Sequence, residues 1–148
     1  GSGIGKSLAQ AFAREGAVVV VVDLRPCDDV ARSLPRPRQI HRHSSFVCDV
    51  TDAKQIRTMI RDVKQKYGKI DVYCSNAGIM YPPPIDKDDD SVARHSDSQW
   101  DRILKVNLVS HVIASRELLP DWNKSNNGIF VMTASAAGLL TQIGDASY

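Results

Sequence analysis

A run of six apolar residues, 17–22, constrains the fold of this chain more than any other feature. It consists of one alanine followed by five valines, and Asp23 ends it. A continuous β-branched run without polar alternation is typical of a parallel strand that is buried on both faces. Before it, Leu8 and Phe12 share one face of a predicted helix over residues 7–15. The chain is therefore predicted to begin with a helix and a buried strand.

The rest of the chain repeats this alternation. Apolar runs predict strands over residues 45–48, 70–75 and 128–133. Apolar spacings of three and four predict amphipathic helices over residues 52–67 and 99–122. Strands and helices that alternate at these lengths favour an α/β fold with a doubly wound parallel sheet of the Rossmann-like type over a sandwich.

The helix predicted over residues 52–67 has the clearest boundaries in the chain. Thr51 precedes it as a predicted N-cap, and Gly68 follows it as a predicted stop. Because no repeat or linker interrupts the chain, we expect residues 1–148 to form one partial dinucleotide-binding domain.

Residues 82–98 are polar and contain three consecutive prolines, which predicts an exposed loop. This loop follows a strand, and strand carboxyl ends form the ligand crevice of such sheets, so it is a candidate lid. Its acidic run is interpreted as a solvated face. Calcium binding is the alternative, although the glycine and the terminal glutamate of a calcium loop are missing. The run contains Asp86, Asp88, Asp89 and Asp90.

Composition excludes several classes of function. The net charge is +2 with interspersed signs, so nucleic acid is not an expected partner. No aliphatic run approaches the roughly 18 residues of a membrane helix. Three cysteines without C-x-x-C spacing predict neither a disulfide framework nor a zinc site, which favours a reducing, cytoplasmic setting. The four histidines are interpreted as surface or helix-face residues, with no metal site: His41, His43, His95 and His111.

Two features predict a dinucleotide site. Gly3 and Gly5 precede a helix, whose free N–H groups can hold a pyrophosphate. Asp23 ends the next strand, where a carboxylate can bond the adenosine ribose hydroxyls, which favours NAD over NADP. The alternatives are that the glycines form a plain turn and that Asp23 caps a turn. Arg25 weakens the preference for NAD.

With these features the chain resembles the short-chain dehydrogenase/reductase family, simple single-domain type, over nearly all of its length. The residues before the first helix match the end of the family's T-G-x-x-x-G-x-G motif, whose beginning would precede residue 1. Further segments match the adenine-contacting pair, the N-A-G segment, the helix asparagine and the catalytic serine and tyrosine of the family. The matching residues are Gly3, Ile4, Gly5, Asp49, Val50, Asn76, Ala77, Gly78, Asn107, Ser135 and Tyr148.

The resemblance implies an NAD(P)-dependent oxidoreductase that interconverts an alcohol and a ketone or aldehyde by hydride transfer. Tyr148 would exchange a proton with the substrate oxygen, and Ser135 would hydrogen-bond that oxygen. Asn107 would orient a water. In the family a lysine four residues after the tyrosine makes the phenol a better base, and that position lies beyond the sequence.

The resemblance also implies that the sheet is incomplete, because the family's central first strand and its C-terminal strands have no counterpart here. We therefore expect the 148 residues alone to be poorly soluble or to aggregate, and, because that lysine is absent, to be inactive. The intact protein is expected to be a homodimer or homotetramer acting on a small alcohol or carbonyl compound. The alternatives are a dinucleotide-binding relative without catalysis and an inactive truncated product.

Overall fold

The computed structural model describes residues 1–38, 40–81, 95–139 and 148. Residues 82–94 of the predicted lid, with all four of its aspartates, lie outside the described residues. Strands and helices alternate along the described chain. In order they are α1 (Gly3–Arg14), β1 (Val20–Asp23), α2 (Asp28–Ser33), β2 (Ser44–Val47), α3 (Ala53–Tyr67), β3 (Val72–Ser75), α4 (Asp97–Leu104), α5 (Ser110–Ser125) and β4 (Ile129–Met132).

The strands form two parallel pairs. Strand β1 pairs with β2, with Val20 opposite Ser44, and β3 pairs with β4, with Val72 opposite Ile129. Within the described residues these are two separate two-stranded sheets. The parallel α/β prediction is confirmed, and the sheet is incomplete, with a gap between β1 and β3.

Two apolar clusters hold the layers together. The larger one lies between the strands and the pair α3 and α5, where Ile56, Ile60 and Leu118 are at most 1% exposed. The smaller one joins α1 and α2 to β1 through Ala13, Val21 and other residues. Helices therefore cover the strands on two sides, as a doubly wound arrangement requires.

The N-terminus of α3 shows why a helix begins where it does. The Asp52 carboxylate accepts hydrogen bonds from the backbone N–H groups of Lys54 and Gln55, which have no acceptor within the helix. The cap is therefore Asp52, and the prediction of Thr51 was one residue early. Thr51 instead belongs to the preceding turn.

The observed boundaries differ from the predicted ones at several elements. Helix α1 begins at Gly3 rather than at residue 7, so the prediction that Gly3 and Gly5 precede the helix was wrong, and both lie in its first turn. The first strand begins at Val20 rather than at residue 17, and α2 had no apolar periodicity long enough to predict it. The helix predicted over residues 99–122 begins at Asp97 and ends at Ser125, and a π-helical turn, Lys105–Val109, separates α4 from α5. This turn carries Asn107.

Candidate active site

A cavity of about 630 Å³ runs along the gap between the two sheets and reaches the carboxyl ends of the strands. In parallel α/β sheets this edge forms the ligand crevice. Seven of the predicted cofactor residues line the cavity. They are Gly5, Asp23, Asp49, Val50, Asn76, Ala77 and Gly78.

The N-terminus of α1 lies at this cavity. Ser2 is its N-cap but makes no side-chain cap hydrogen bond, and the first N–H group with a helical acceptor is that of Lys6, which donates to Ser2. The N–H groups of the first turn are therefore available to an anion. Gly3 has a φ of +49°, the left-handed region that glycine adopts without strain.

Gly5 leaves room for a neighbouring side chain. A Cβ atom at this position would lie 3.0 Å from Nδ2 of Asn76. A methyl group would push Asn76 away from its place at the cavity wall. The structure thus gives a packing reason for glycine here, and pyrophosphate binding by this segment stays a prediction.

Asp23 ends β1 and lies at the cavity, half-buried. Its carboxylate accepts the backbone N–H of Arg25 at 3.1 Å. An aspartate side chain is ionised at neutral pH, so Asp23 presents a carboxylate at the cavity.

Asp49 and Val50 form the turn after β2. The Asp49 carboxylate accepts the backbone N–H of Thr51 at 2.9 Å and its hydroxyl at 2.7 Å. The backbone N–H of Asp49 donates to the side chain of Gln55. The Asp49 carboxylate is thus used within its own turn, where it orients Val50 at the cavity wall.

Asn76 joins the two strands of the second sheet to the site. The Thr133 hydroxyl, which follows β4, donates to Oδ1 of Asn76 at 2.7 Å. The Asn76 amide group faces Gly5 on the other side of the gap. Asn76 therefore links β3 to β4 and lies beside the glycine loop, and its part in cofactor binding stays a prediction. The hydrogen bond from Thr133 to Asn76 was not predicted, because a threonine after a strand has no distinctive sequence signal.

Asn107 holds the wall of the cavity through two hydrogen bonds. Its Oδ1 accepts the backbone N–H of Ile79 at 2.9 Å, and its Nδ2 donates to the Ile79 carbonyl at 2.8 Å. Both ends of its side-chain amide are thus used on one residue. Ile79 lines the cavity and follows Gly78, so Asn107 fixes the path of this segment.

Ser75 and His111 form a hydrogen bond at the end of β3, between the Ser75 hydroxyl and Nδ1 of His111. Burial lowers the pKa of His111, while a hydrogen bond with the Asn107 backbone carbonyl opposes that lowering. Sequence analysis interpreted His111 as a surface or helix-face residue. Its partner is 36 positions away, a distance over which no periodicity could have indicated the pair.

The remaining predicted residues do not line the cavity. Ile4 is 63% exposed, and Gly3 has open space around it. Ser135 follows β4 and accepts the Ala137 N–H at 3.2 Å, whereas Tyr148 is 43% exposed. Residues 140–147 lie outside the described part of the chain, so the relation between Ser135 and Tyr148 stays a prediction.

His41 is exposed, as predicted, whereas His43 and His95 differ from the surface interpretation. His95 is 8% exposed, and its ring packs near that of Tyr81. Nδ1 of His43 accepts the backbone N–H of Val19 at 3.0 Å, and its Nε2 lies 2.6 Å from the Pro35 carbonyl oxygen. Within residues 1–38, 40–81, 95–139 and 148, no group of three or more potential metal ligands is brought together. In the same part of the chain no helix has both the length and the apolarity to cross a membrane.

Comparison with known proteins identifies the family. Residues 1–148 match the family described as short chain dehydrogenase over their whole length. The chain belongs to the short chain dehydrogenase family. A crystal structure of a short-chain dehydrogenase from Streptomyces avermitilis has the same fold, with a TM-score of 0.84 at 24% identity over 99% of this chain and 50% of that one.

Several curated short-chain dehydrogenase relatives match nearly the whole chain. A meso-2,3-butanediol dehydrogenase of Serratia marcescens is 36% identical over 100% of this chain and 55% of its own length. A 3-oxoacyl-[acyl-carrier-protein] reductase of Thermotoga maritima is 33% identical over 99% and 57%. A probable NADP-dependent mannitol dehydrogenase of Yarrowia lipolytica is 32% identical over 96% and 49%. The chain spans about half the length of these relatives.

Proposed function

We propose that this chain is the cofactor-binding half of an NAD(P)-dependent oxidoreductase that interconverts an alcohol and a ketone or aldehyde. One observation carries the proposal: seven residues matched separately along the sequence line one cavity at the carboxyl ends of the strands. The relatives named above as dehydrogenases and a reductase support the same class of reaction. The proposed substrate is a small alcohol or carbonyl compound, and the intact protein is a cytoplasmic homodimer or homotetramer.

The residues present fit a nicotinamide dinucleotide. The first turn of α1 offers free N–H groups to a pyrophosphate, and Gly5 leaves the space that a side chain would fill. Asp23 offers a carboxylate to the adenosine ribose hydroxyls. The same negative charge disfavours a 2′-phosphate there, so we propose NAD as the preferred cofactor.

The chemistry at the substrate is assigned to Ser135 and Tyr148. When bound, the dinucleotide supplies or accepts the hydride at the carbon that bears the reacting oxygen. In reduction Tyr148 gives its phenolic proton to that oxygen, and in oxidation it takes the proton back. The Ser135 hydroxyl, which accepts the Ala137 N–H, keeps its own hydrogen free to donate to the same oxygen.

The direct test is turnover of secondary alcohols with NAD by the full-length protein, with and without the substitution Tyr148→Phe. We expect Tyr148→Phe to lower kcat by at least about 100-fold, because general acid–base catalysis contributes roughly this much. Tyr67→Phe is the matched control. Tyr67 lines the other end of the same cavity, at the amino ends of the strands, where its hydroxyl donates to Ser44 at the start of β2. Equal activity of Tyr148→Phe and the unsubstituted protein would refute the assignment.

A dinucleotide-binding relative without catalysis is the second candidate. It is favoured by the fact that the predicted site residues that line the cavity are all cofactor residues, whereas Ser135 and Tyr148 lie outside its lining. NADH binding without turnover of any alcohol or carbonyl compound would decide for this candidate. If the protein neither binds NADH nor turns over an alcohol or carbonyl compound, it would be an inactive product.

A further inference from the structure

The bond between Ser75 and His111 belongs to a closed ring of contacts beside the cavity. Ser75 is the last residue of β3 and is 8% exposed. Its hydroxyl is bonded to Nδ1 of His111, which lies in the first turn of α5. A buried hydroxyl at this position needs a partner, and the imidazole supplies it.

The ring continues through the helix. His111 and Asn107 lie four residues apart, about one turn, on the continuous helical stretch of α4, the π-helical turn and α5. Asn107 lies in the π-helical turn, whose altered hydrogen-bond pattern is a feature often found at functional sites. The side chain of Asn107 then holds both backbone groups of Ile79, at 2.9 and 2.8 Å.

Ile79 is only four residues after Ser75, so the ring encloses the segment that lines the cavity. Residues 76–78 run between the two anchored ends, and all three line the cavity. One end of this segment is fixed by Ser75 at the end of β3, and the other end is fixed by the hydrogen bonds of Asn107 to Ile79. The bond between Ser75 and His111 joins these two ends, because His111 lies on the same helical stretch as Asn107.

We propose that His111 is a positioning residue that fastens the end of β3 to the Asn107 turn and so fixes the shape of residues 76–79 at the cofactor cavity. This inference rests on the proposed function only for its effect on the cofactor. The contact itself is independent of catalysis. His111 touches neither cofactor nor substrate in this assignment.

The test measures hydrogen exchange at the Ile79 amide in the full-length protein. His111→Phe keeps a ring of similar size and removes both nitrogens. We expect it to raise the exchange rate of the Ile79 amide about tenfold, because one buried hydrogen-bond partner is lost. We also expect a rise of similar size in the KM for the dinucleotide with little change in kcat, since the site is distorted before the reaction begins.

Two further variants keep the proposal testable if His111→Phe folds poorly. Ser75→Ala removes the same contact from the strand side, and the double variant is expected to exchange no faster than either single one. His111→Asn, which restores a polar side chain in place of the ring, is expected to recover part of the protection. Ser115→Ala, one turn along α5, where the hydroxyl only donates to Val112, is the control and should change neither readout.

Unchanged exchange of the Ile79 amide in both His111→Phe and Ser75→Ala would overturn the proposal. Additive effects in the double variant would overturn it as well, because the two residues would then act separately. If the unsubstituted protein binds no dinucleotide, the proposed function fails while the amide exchange still decides the role of His111.

Discussion

Single residues at the cavity show how closely the glycine loop and the N-A-G segment are fitted together. Gly5 and Asn76 lie on opposite sides of the gap between the sheets, and a Cβ on Gly5 would come within 3.0 Å of Nδ2 of Asn76. Asn76 is itself held by Thr133. A shift of Asn76 away from an added methyl group would therefore strain this hydrogen bond.

We predict that Gly5→Ala weakens dinucleotide binding about tenfold in the full-length protein. Overpacking of this kind costs about 1–3 kcal/mol, and 1.4 kcal/mol corresponds to a factor of ten. Titration with NADH measures the effect. Gly138→Ala is the control, because a Cβ there has no atom of the described residues within 4 Å. Equal weakening by both substitutions would show that the contact with Asn76 is not the cause.

The charge of Asp23 gives a second prediction at this scale. Asp23→Ser removes the carboxylate that disfavours a 2′-phosphate, and it leaves Arg25 nearby as a cation. We expect the ratio of NADH affinity to NADPH affinity to fall at least tenfold. Asp62→Ser, on the outer side of α3, should leave the ratio unchanged. A ratio unaffected by Asp23→Ser would exclude this residue from cofactor choice.

At the scale of elements, sequence periodicity predicted most helices and strands but not their details. The valine run predicted β1, yet only its last three residues and Asp23 pair with β2. Apolar spacing predicted a single helix through Asn107. In the structure α4, the π-helical turn and α5 follow one another without a break, so the spacing showed the continuity but not the π-helical turn. The turn inserts no residue type that sequence analysis could recognise. It depends on contacts with β3 and Ile79, which are distant along the chain.

For the candidate site, the sequence likewise predicted which residues gather at the strand ends but not the residues that hold them in place. Motif order placed the glycine loop, Asp23 and Asn76 at one edge of the sheet, since the carboxyl ends of parallel strands meet there. The partners of these residues were missed. Thr133 and His111 act through contacts between distant elements, and such contacts leave no local pattern.

Strand β3 gives a prediction on pH. Burial raises the pKa of Tyr73 to about 12 from an ordinary value of 10.0, and the charge of the Cys48 thiolate acts in the same direction. The unfolded chain therefore loses this proton at a lower pH than the folded one. The contribution to stability is complete below about pH 10 and is lost as the pH rises through 12.

We expect the free energy of unfolding of the full-length protein to fall by about 2 kcal/mol more than that of Tyr73→Phe between pH 9 and pH 12. Urea denaturation under reducing conditions at each pH measures the difference. Tyr67→Phe should keep the steeper fall. Parallel curves for Tyr73→Phe and the unsubstituted protein would contradict burial of this phenol.

At the scale of the whole molecule, the main feature is the gap between the two sheets. The carbonyls of Val19 and Asp23 accept N–H groups on the β2 side, so the backbone of Val20 and Val22 faces the gap by strand alternation. The family resemblance implies a central strand at this place. Apolar side chains on β4 are exposed too, including Ile129 at 57% and Met132 at 60%.

We predict that the 148 residues expressed alone aggregate, because unpaired strand edges and exposed apolar surface promote association. Sedimentation and thermal melting, compared with the full-length protein, measure this. A soluble monomer with a sharp, cooperative melt would show that the two sheets need no further strand between them.

The central claim is that a nicotinamide dinucleotide binds at the carboxyl ends of the strands, where seven of the predicted cofactor residues line the cavity. Hydrogen exchange of the full-length protein with and without NADH tests it most directly. The account predicts slower exchange at residues 1–6, 49–51 and 76–79, and no change at residues 120–126 on the far end of α5. Binding without protection of these three segments, or no binding at all, would contradict it.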